Sequence, residues 1–584
     1  MTMRWKLLPP FAGLKALADS LRVGPLLAQV MANRGLTTPE ACLAFLDCGF
    51  EQLHRPELLP DLLKAAERIV RAVEQREKVA VYCDYDVDGL TGAAVLYQCL
   101  ELAGLKATLY VPHRIEEGYG LNCAAIEQLA SAGHTLIITV DCGVTSVREA
   151  ALARERGVDL IITDHHETEA ELPEACALVN PKLPGSTYPF RDLAGVGVAF
   201  KLAWAVGLAL AQDRSCRPEF QKLLTDATGL AALGTIADVV PLVGENRALA
   251  SMGLKALSSR LYHPGLQAIV ESARLGDNEV KARDVAFIIG PRLNAAGRMG
   301  HAREALRLLT DATAEEAARI AHDLETENRE RQKVERQTFD QAVEMVASRG
   351  GVRSRYTLVL ASPDWHAGVI GIVASRLVEK YHRPTMLIAL EDGKGQGSGR
   401  SIPGFNLFEA LQPCAELLTN FGGHAMAAGL RMDADQTDEL AAAIEAHARR
   451  VLSPADLVPS LAVDAETALV TLTAPVVKEL ARLAPFGHGN PRPVFAITGC
   501  RLVGPPKRIG KTGTHLCLQL TQAGVSLRGM YWRAAAEAGA IGRAETLDVA
   551  CRPRINTFHR KESVELDIVD VHPGGYREPE PDVV

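Results

Sequence analysis

Short apolar runs alternate with longer amphipathic stretches in the first third of the chain. Residues 78–83, 107–112, 135–140 and 159–164 are four such runs, rich in Val, Ile and Leu. Helical patterns such as AAIEQLASAG and TSVREAALARERG lie between them. Buried strands that alternate with helices of this length predict a parallel sheet in a doubly wound α/β domain.

The pattern changes four times after these runs. Residues 195–310 are mostly helical, and residues 314–349 contain no Pro or Gly and have a polar middle, which predicts one long helix connecting two domains. A second, smaller α/β unit starts at 356–363, and short alternating runs from 461 to 572 predict a small β-barrel or sandwich. The predicted division is a helical N-terminal segment 1–60, an α/β domain 61–310, a connector helix 311–350, a second α/β domain 351–452, a β-barrel 460–573 and a tail 574–584.

Composition narrows the class of protein. Of the 584 residues, 47% are apolar and 23% are charged, which excludes general disorder. No apolar run approaches the roughly 18 residues of a membrane span, so no membrane association is expected. The twelve cysteines include no C-x-x-C pair, which excludes a zinc ribbon and suits a reducing, cytoplasmic location.

Acids and imidazoles follow three of the four predicted strands. Asp84, Asp86 and Asp88 follow the first, Asp141 the third and Asp164-His165-His166 the fourth. Because the carboxyl ends of parallel strands share one edge, these side chains should converge. Clustered carboxylates repel unless a cation neutralises them. Mixed carboxylate and imidazole ligands suit manganese better than calcium, so the pattern predicts a site for a pair of divalent cations.

A fourth acid, Asp238 in GTIADVVPL, could join this site. Each motif alone has a simpler interpretation, because an Asp at a strand end is most often a helix cap and Asp238 could start a turn before Pro241. The coincidence of the motifs at matching strand ends favours the metal site.

With these motifs, the sequence resembles the DHH phosphoesterases over nearly its whole length. The segment 422–430, GGHAMAAGL, looks like the glycine-rich signature of the DHH-associated second domain. GPRLNAAGRMG, GSGRSIPGFNL and APFGHGNPRPVF are similar to the RecJ exonucleases of that family. The resemblance implies a DHH catalytic domain, a long connector helix, a DHH-associated substrate-binding domain and a C-terminal OB-fold barrel that binds single strands.

The resemblance also implies roles for the residues at the strand ends. Two Mn²⁺ or Mg²⁺ ions would be bridged by Asp141, and Asp164 would hold an imidazole in position. The implied catalytic residues are Asp141, Asp164, His165 and His166. The implied metal ligands are Asp84, Asp86, Asp88, Asp141, His165, His166 and Asp238, of which Asp84 and His166 could instead support the ligands without touching a cation.

Substrate contacts are expected mainly in the second α/β domain. Gly422 and Gly423 allow a phosphate or ribose to approach the backbone closely, and His424 could donate to a phosphate. Ser398 and Arg400 offer the hydroxyl and guanidinium that recognise a terminal phosphate. The RecJ resemblance adds Arg292. The alternatives are a packing turn for the glycines and a surface ion pair for Arg400.

The predicted barrel is locally basic, although the whole chain has a net charge of -8. Residues 500–561 contain eleven Lys or Arg and three acids. Tyr531, Trp532, Phe558 and His559 are interleaved with these cations, as in OB-folds that bind single strands. Aromatic residues are more often part of a core, so only some of the four should face DNA.

Together with these features, the resemblance implies a single-stranded-DNA-specific 5′→3′ exonuclease that releases 5′-mononucleotides in DNA repair and recombination. A single-strand-binding protein and a helicase are the partners implied by the family, and a monomer is expected. One alternative is a phosphodiesterase of short oligonucleotides or cyclic dinucleotides, which would not need the basic barrel. The other is a non-catalytic DNA-binding scaffold, which would not need the acids and imidazoles at the strand ends.

Overall fold

A computed structural model describes the chain except residues 1–2, 114–116, 119, 212–214, 260–262, 276–278, 300–301, 559–560 and 577–584. The chain forms two compact units. The first unit comprises Glu40–Arg329 and Leu483–Arg492, and the second comprises Met1–Pro39, Glu330–Arg482 and Pro493–Val584. Within the described residues, no helix combines the length and apolar character needed to cross a membrane.

The N-terminal segment is mostly helical but contains one strand. That strand, β1, pairs in parallel with Ser460–Val463 inside the second unit. Arg68 of the fourth helix lies against the first sheet, where its guanidinium binds Glu77 and Asp159. The elements are β1 (Arg4–Leu7), α1 (Leu14–Leu21), α2 (Pro25–Asn33), α3 (Pro39–Leu46) and α4 (Leu62–Gln75).

A parallel five-stranded sheet forms the centre of the first unit, in the order β3-β2-β4-β5-β6. This confirms the predicted doubly wound α/β domain and adds one strand, Ala177–Val179, that the sequence pattern did not reveal. The elements are β2 (Val79–Cys83), α5 (Val87–Leu102), β3 (Thr108–Tyr110), α6 (Cys123–Ser131), β4 (Leu136–Val140), α7 (Val147–Glu155), β5 (Asp159–Thr163) and β6 (Ala177–Val179).

Helices follow the sheet and complete the first unit. The last of them, α15, is the predicted long helix: Ala317 and Leu324 near its start are buried in the core of the first unit. Ala342 and Val346 near its end belong to a core of the second unit. The helices are α8 (Gly195–Ala211), α9 (Pro218–Ala237), α10 (Gly244–Ser259), α11 (Pro264–Ser272), α12 (Ala282–Asp284), α13 (Gly290–Met299), α14 (Ala302–Thr310) and α15 (Ala314–Ser348), with a π-helical turn at Val285–Ile289.

A second five-stranded sheet lies in the second unit, in the order β10-β11-β9-β8-β7. Only β7 and β8 run parallel, and the other neighbours are antiparallel. The elements are β7 (Leu358–Ser362), α16 (Ala367–Tyr381), β8 (Thr385–Glu391), β9 (Lys394–Arg400), α17 (Leu407–Leu411), β10 (Leu418–His424), β11 (Ala427–Asp433) and α18 (Thr437–Val451).

The C-terminal part is the predicted β domain. Its strand Phe495–Leu502 pairs both with Leu547–Phe558 and with His515–Gln522, so the pairings of five strands return to their start, as expected for the five-stranded sheet of an OB-fold. The elements are β12 (Ser460–Val463), β13 (Ala465–Glu466), α19 (Ala474–Ala481), β14 (Phe495–Leu502), β15 (Lys507–Ile509), β16 (His515–Gln522), β17 (Val525–Tyr531), α20 (Ala538–Arg543), β18 (Leu547–Phe558) and β19 (Lys561–Pro573).

Candidate metal centre

The strand register of the parallel sheet aligns the predicted site residues. Cys83 pairs with Val140, and Val140 pairs with Thr163, so β2, β4 and β5 end in one row. The next residue of each strand is an acid: Asp84, Asp141 and Asp164. The sheet therefore carries three carboxylates side by side along one edge.

His165 lies at the centre of this cluster. Its Nε2 atom is 3.1 Å from Asp141 Oδ1, 3.6 Å from Asp238 Oδ2 and 3.9 Å from Asp88 Oδ2. These acids come from a strand end, the end of α9 and the start of α5, so the fold brings together residues far apart in sequence.

All seven predicted ligands lie in groups whose ligand atoms are within 4.8 Å of one another. Asp141 occurs in two of the groups, as does His165, so the groups share members. The three groups are Asp84 with Asp86 and Asp141, Asp88 with His165 and Asp238, and Asp141 with His165 and His166. The overlapping groups offer ligands for the two cations that the sequence predicted.

The local structure explains why the turn at residues 84–89 has the sequence D-x-D-x-D-G. Asp86 is the N-cap of α5, where its Oδ1 accepts from the N–H groups of Asp88 at 2.9 Å and Gly89 at 3.2 Å. A Cβ atom on Gly89 would lie 2.5 Å from the carbonyl oxygen of Asp84, so only glycine fits there. Asp141 has φ 63°, a conformation that non-glycine residues rarely adopt and that is concentrated at functional sites.

The start of α8 holds Asp88. Its two carboxylate oxygens accept from the N–H groups of Gly195 at 2.7 Å and Val196 at 2.8 Å. A Cβ atom on Gly195 would lie 2.5 Å from Asp141 Oδ1, so the helix approaches both acids only because this residue is glycine. Sequence reasoning missed this support, although the glycines of AGVGVAF were a signal of close packing.

A further support comes from α13, in the segment GPRLNAAGRMG. Asn294 Oδ1 accepts from the Val87 N–H at 3.2 Å, and Gly297 packs against the carbonyl of Tyr85. Sequence reasoning selected only Arg292 from this segment. The structure pairs Arg292 Nη2 with Glu325 at 2.7 Å and leaves its side chain 11% exposed.

The acids of the cluster are hard to ionise together. Burial, followed by the charges of Asp88 and Asp86, raises the pKa of Asp238 to about 9. Burial and Asp86 raise the pKa of Asp88 to about 7. For Asp141, burial and the surrounding carboxylates hold the pKa well above its usual range. A cation among these oxygens would reverse this effect by favouring the ionised forms.

The pKa values of the two histidines are shifted in opposite directions. Burial and the neighbouring His166 lower the pKa of His165 to about 3, so its ring is neutral. The ring also has a hydrogen bond to the backbone of Leu193, while its buried Nε2 makes none. This fixes a tautomer whose Nε2 lone pair faces the acids, as in a metal-ligating histidine.

His166 is positioned by Asp164. Burial opposes protonation of His166, but its Nδ1 lies 2.7 Å from Asp164 Oδ1, and this hydrogen bond raises its pKa to about 9. Asp164 also accepts from the backbone N–H groups of Val144, His165 and His166. Asp164 thus accepts four hydrogen bonds, one of which comes from the His166 ring; that it orients this imidazole for catalysis stays a prediction.

The donor set fits divalent cations of the Mn²⁺ or Mg²⁺ type. Five carboxylates and two imidazoles supply oxygen and nitrogen ligands, and no cysteine belongs to any of the three groups. Three acids with raised pKa values around one neutral histidine form a site whose charge a cation would balance. The arrangement can therefore hold metal and present it at the sheet edge.

In the second unit, the register aligns four of the five predicted substrate contacts, and Gly423 alternates to the opposite face. Ser398 lies opposite Gly429, which lies opposite Gly422, in one row across β9, β11 and β10. Arg400, Ala427 and His424 form the row two residues further. Because residues opposite one another share a face and alternate along each strand, Ser398, Arg400, Gly422 and His424 lie on one face.

Two glycines shape this sheet. Gly423 has φ 139°, and a Cβ atom there would lie 2.6 Å from the Cα of Ala428, so no other residue fits. On α16, a Cβ atom on Gly371 would lie 2.8 Å from Ser398 Oγ and 3.3 Å from Arg400 Nη2. Sequence reasoning missed Gly371, which brings α16 against both predicted phosphate-binding residues.

The barrel is less basic than the sequence window indicated. Arg528 and Arg554 both pair with Glu565, and Arg554 also pairs with Asp567, acids of β19 that lie beyond the window. Lys507, Arg508 and Lys511, in and beside β15, are exposed.

The aromatic residues of the barrel fall into two classes. Tyr531 is buried, whereas Trp532 is 48% exposed and has its ring edge-on to His515 at 5.1 Å between centroids. The structure does not describe the side chain of Phe558 or any part of His559. Trp532 is thus the described member of the predicted set that can offer a stacking face.

Comparison with known families gives three matches along the chain. The N-terminal domain of the DHH family matches residues 78–235, the DHHA1 domain matches residues 354–450 and the RecJ OB domain matches residues 463–570. Together they include six of the seven predicted metal ligands, all except Asp238, as well as the predicted substrate contacts of the second unit and most of the barrel.

Individual relatives match over nearly the full chain. The single-stranded-DNA-specific exonuclease RecJ of Bacillus subtilis is 36% identical over 571 residues, which are 97% of this chain and 70% of the relative. The crystal structure of RecJ from Thermus thermophilus in complex with Mn²⁺ has a TM-score of 0.82 at 32% identity, covering 99% of this chain and 80% of that one. The Mg²⁺ complex of the same enzyme has a TM-score of 0.77 at 31% identity, with 99% and 79% covered.

Proposed function

The chain belongs to the RecJ family of single-stranded-DNA-specific exonucleases, and from this premise we propose that it degrades single-stranded DNA from the 5′ end. Its cofactors are two Mn²⁺ or Mg²⁺ ions, and its products are 5′-mononucleotides. The observation that carries the proposal is the buried Nε2 of His165, which lies within 3.9 Å of carboxylates from three separate elements.

The reaction is hydrolysis of a phosphodiester bond. Water attacks the phosphorus that follows the first nucleotide, the bond from phosphorus to the 3′ oxygen breaks, and that oxygen leaves with a proton. Bound divalent cations supply activation of the water and stabilisation of the charge on the phosphoryl group. The cations are held by His165 and five carboxylates, those of Asp84, Asp86, Asp88, Asp141 and Asp238.

His166 faces the substrate in this proposal. Its ring is partly exposed, and the Asp164 carboxylate bound to Nδ1 raises the pKa of the imidazole. A protonated imidazole held in one orientation can donate to a phosphate oxygen next to the cations. Asp164 acts through His166 and does not need to touch the substrate.

The 5′ polarity rests on the substrate face of the second unit. Arg400 and Ser398 on β9 form the kind of pair that binds a terminal phosphate, and Gly422 with His424 lies two strands away on the same face. A group that recognises a 5′ phosphate makes cleavage begin at that end. Arg292 is a less direct candidate, because its guanidinium is already paired with Glu325.

The test is digestion of a long single strand labelled at either end, in Mn²⁺, beside the matching blunt duplex. The expected result is immediate release of the 5′ label as a mononucleotide, late release of the 3′ label and an intact duplex. Release of the 3′ label first would overturn the polarity. Cleavage of dinucleotides or cyclic dinucleotides without cleavage of the long strand would assign the chain to small substrates.

Further predictions concern the partners, the oligomeric state and the location of the protein. A single-strand-binding protein and a helicase as partners, a monomeric state and a cytoplasmic location stay predictions from the family. Size-exclusion chromatography with light scattering tests the monomer, and pull-down with the purified partners tests the two interactions.

A further inference from the structure

Ten residues of the first unit come from a distant part of the sequence. The chain leaves the second unit after Arg482, contributes Leu483–Arg492 to the first unit and returns to the second at Pro493. We call Leu483–Arg492 the strap. It contains most of the motif APFGHGNPRPVF, to which the proposed function assigns no role.

A buried arginine anchors the strap. Arg247 on α10 is 1% exposed, and its guanidinium donates to the carbonyls of Leu483 at 2.9 Å and Ala484 at 2.7 Å. It also donates to the carbonyl of Phe45 at 2.8 Å and lies 3.8 Å from the centre of the Phe45 ring. A guanidinium this deeply buried requires such acceptors, so the strap and Arg247 depend on each other.

The strap closes on itself through Asn490. The buried side-chain amide donates to the carbonyls of Leu483 at 2.8 Å and Pro485 at 2.7 Å. Gly487 and Asn490 exchange backbone hydrogen bonds around a two-residue turn. The strap is therefore a defined loop whose tip is His488 and Gly489.

The tip lies against the turn that follows the metal-site residue Asp238. The Leu242 N–H donates to the carbonyl of His488 at 2.8 Å. Gly489, at φ 70°, is so close to Pro241 that a Cβ atom would lie 2.9 Å from the Pro241 Cβ. The contacts thus reach residues three and four positions beyond Asp238.

That turn is strained. Val239, directly after Asp238, has φ 65°, which is a genuine outlier for a β-branched residue. Its side chain is 63% exposed, so burial of this side chain does not compensate for the strain. Backbone strain of this kind persists only where the surroundings impose it.

We propose that the strap is a positioning device that holds the Asp238–Val243 turn in its strained conformation and so keeps the Asp238 carboxylate directed at the cation site. Arg247 and Asn490 fix the strap, and its tip fixes Pro241 and Leu242. The proposal rests on the proposed function only in taking Asp238 as a cation ligand.

The experiment compares two glycines of nearly identical conformation. Gly489 has φ 70° and contacts Pro241, whereas Gly157, between α7 and β5, has φ 71° and nothing within 4 Å of a Cβ atom. Alanine is strained at both positions, but only Gly489→Ala displaces the turn. Both full-length variants are titrated with Mn²⁺, and the free ion is measured by electron paramagnetic resonance.

The expected result is selective. In Gly489→Ala, one of the two Mn²⁺ sites weakens by about tenfold or more, as when a group that orients a metal ligand is lost. The other site keeps its affinity, and kcat falls while KM for single-stranded DNA is unchanged. Gly157→Ala keeps both affinities. Two unchanged Mn²⁺ sites in Gly489→Ala overturn the proposal.

A suppressor separates positioning from general damage. Val239→Gly removes the strain, since glycine adopts φ 65° without a penalty. Added to Gly489→Ala, it should recover at least part of the lost Mn²⁺ affinity, whereas a misfolded first unit would not recover. No recovery in the double variant overturns the proposal. If the wild-type protein binds no Mn²⁺, the proposed function fails instead.

Discussion

The two α/β sheets place their functional candidates in different ways. The parallel sheet carries Asp84, Asp141 and Asp164 at strand ends, where they are buried and meet acids from helices far away in sequence. The mixed sheet carries Ser398, Arg400, Gly422 and His424 on a strand face, where none of them is buried. One site is gathered at an edge, and the other is spread over a surface.

The difference corresponds to the different requirements of catalysis and of polymer binding. Chemistry on a phosphate needs groups fixed within fractions of an ångström, and the ends of parallel strands provide this, because backbone N–H groups such as those of Gly195 and Val196 hold the acids. Binding a polymer needs access along a surface, and Gly422 and His424 in the antiparallel glycine hairpin are exposed. The following changes test this division, from the largest expected effect to the smallest.

Asp141→Asn should have the largest effect. It removes a carboxylate shared by two ligand groups, and kcat should fall by about 1000-fold or more. In the metal-free protein the same change should raise Tm, because burial and four neighbouring acids disfavour the ionised carboxylate. Single-turnover kinetics and calorimetry measure the two effects. Asp226→Asn, on the exposed face of α9, is the control and should change neither.

Asp164→Asn should have a smaller effect, because Asp164 acts through His166. A fall in kcat of about 10- to 100-fold is expected, with Mn²⁺ stoichiometry unchanged. The matched control is Asp159→Asn at the opposite end of β5, where the side chain pairs with Arg68. Loss of a Mn²⁺ ion in Asp164→Asn would contradict the positioning role. Asp164 would then be a metal ligand itself.

Arg400→Ala tests the surface site. Loss of a charge-assisted hydrogen bond worth about 1.5–3 kcal/mol should raise KM for a 5′-phosphorylated strand by about tenfold to a hundredfold, with kcat nearly unchanged. A strand with a 5′ hydroxyl should be affected much less. Lys394→Ala, at the start of the same strand, is the control. If kcat falls and KM does not rise, Arg400 acts in the chemical step. The proposed division between a catalytic sheet and a binding sheet would then be wrong.

Trp532→Ala should have the smallest effect. A half-exposed ring that stacks on one base contributes about 1 kcal/mol, which is about a fivefold weaker affinity for long single strands. Trp532→Phe should retain most of the affinity. Fluorescence anisotropy with labelled oligonucleotides measures both, and Val503→Ala, another exposed apolar side chain of the barrel, is the control. Equal weakening by Val503→Ala would contradict stacking.

The sequence was sufficient to predict that the acids at the ends of the parallel strands lie along one edge of the sheet. Apolar runs that end in Asp84, Asp141 and Asp164 predict a common edge. The pairing of β2, β4 and β5 places the three strand ends in one row, as predicted. It was not sufficient for Gly195, which lies 107 residues from the Asp88 it supports, because no local pattern reveals which helix starts beside an acid. The roles of individual ligands stay predictions.

The charge of the barrel shows why a sequence window misleads. Residues 500–561 end just as β19 begins, and β19 supplies Glu565 and Asp567 as partners for Arg554. Pairing across a hairpin is decided by register, which a count of charges along the chain does not contain. The strap was missed for a similar reason, since its contacts with Pro241 and Leu242 join segments far apart in the sequence.

Strand β1 has a consequence for how the protein is made. Its partner strand is Ser460–Val463, and Trp5 Nε1 donates to Asp570. At about 5–20 residues per second, the ribosome needs roughly 30–110 s to travel from Trp5 to Asp570. Until then β1 cannot make its full set of contacts, whereas the parallel sheet, whose last strand ends at Val179, can fold earlier. Synthesis therefore completes the strands of the parallel sheet before β1 can dock in the second unit.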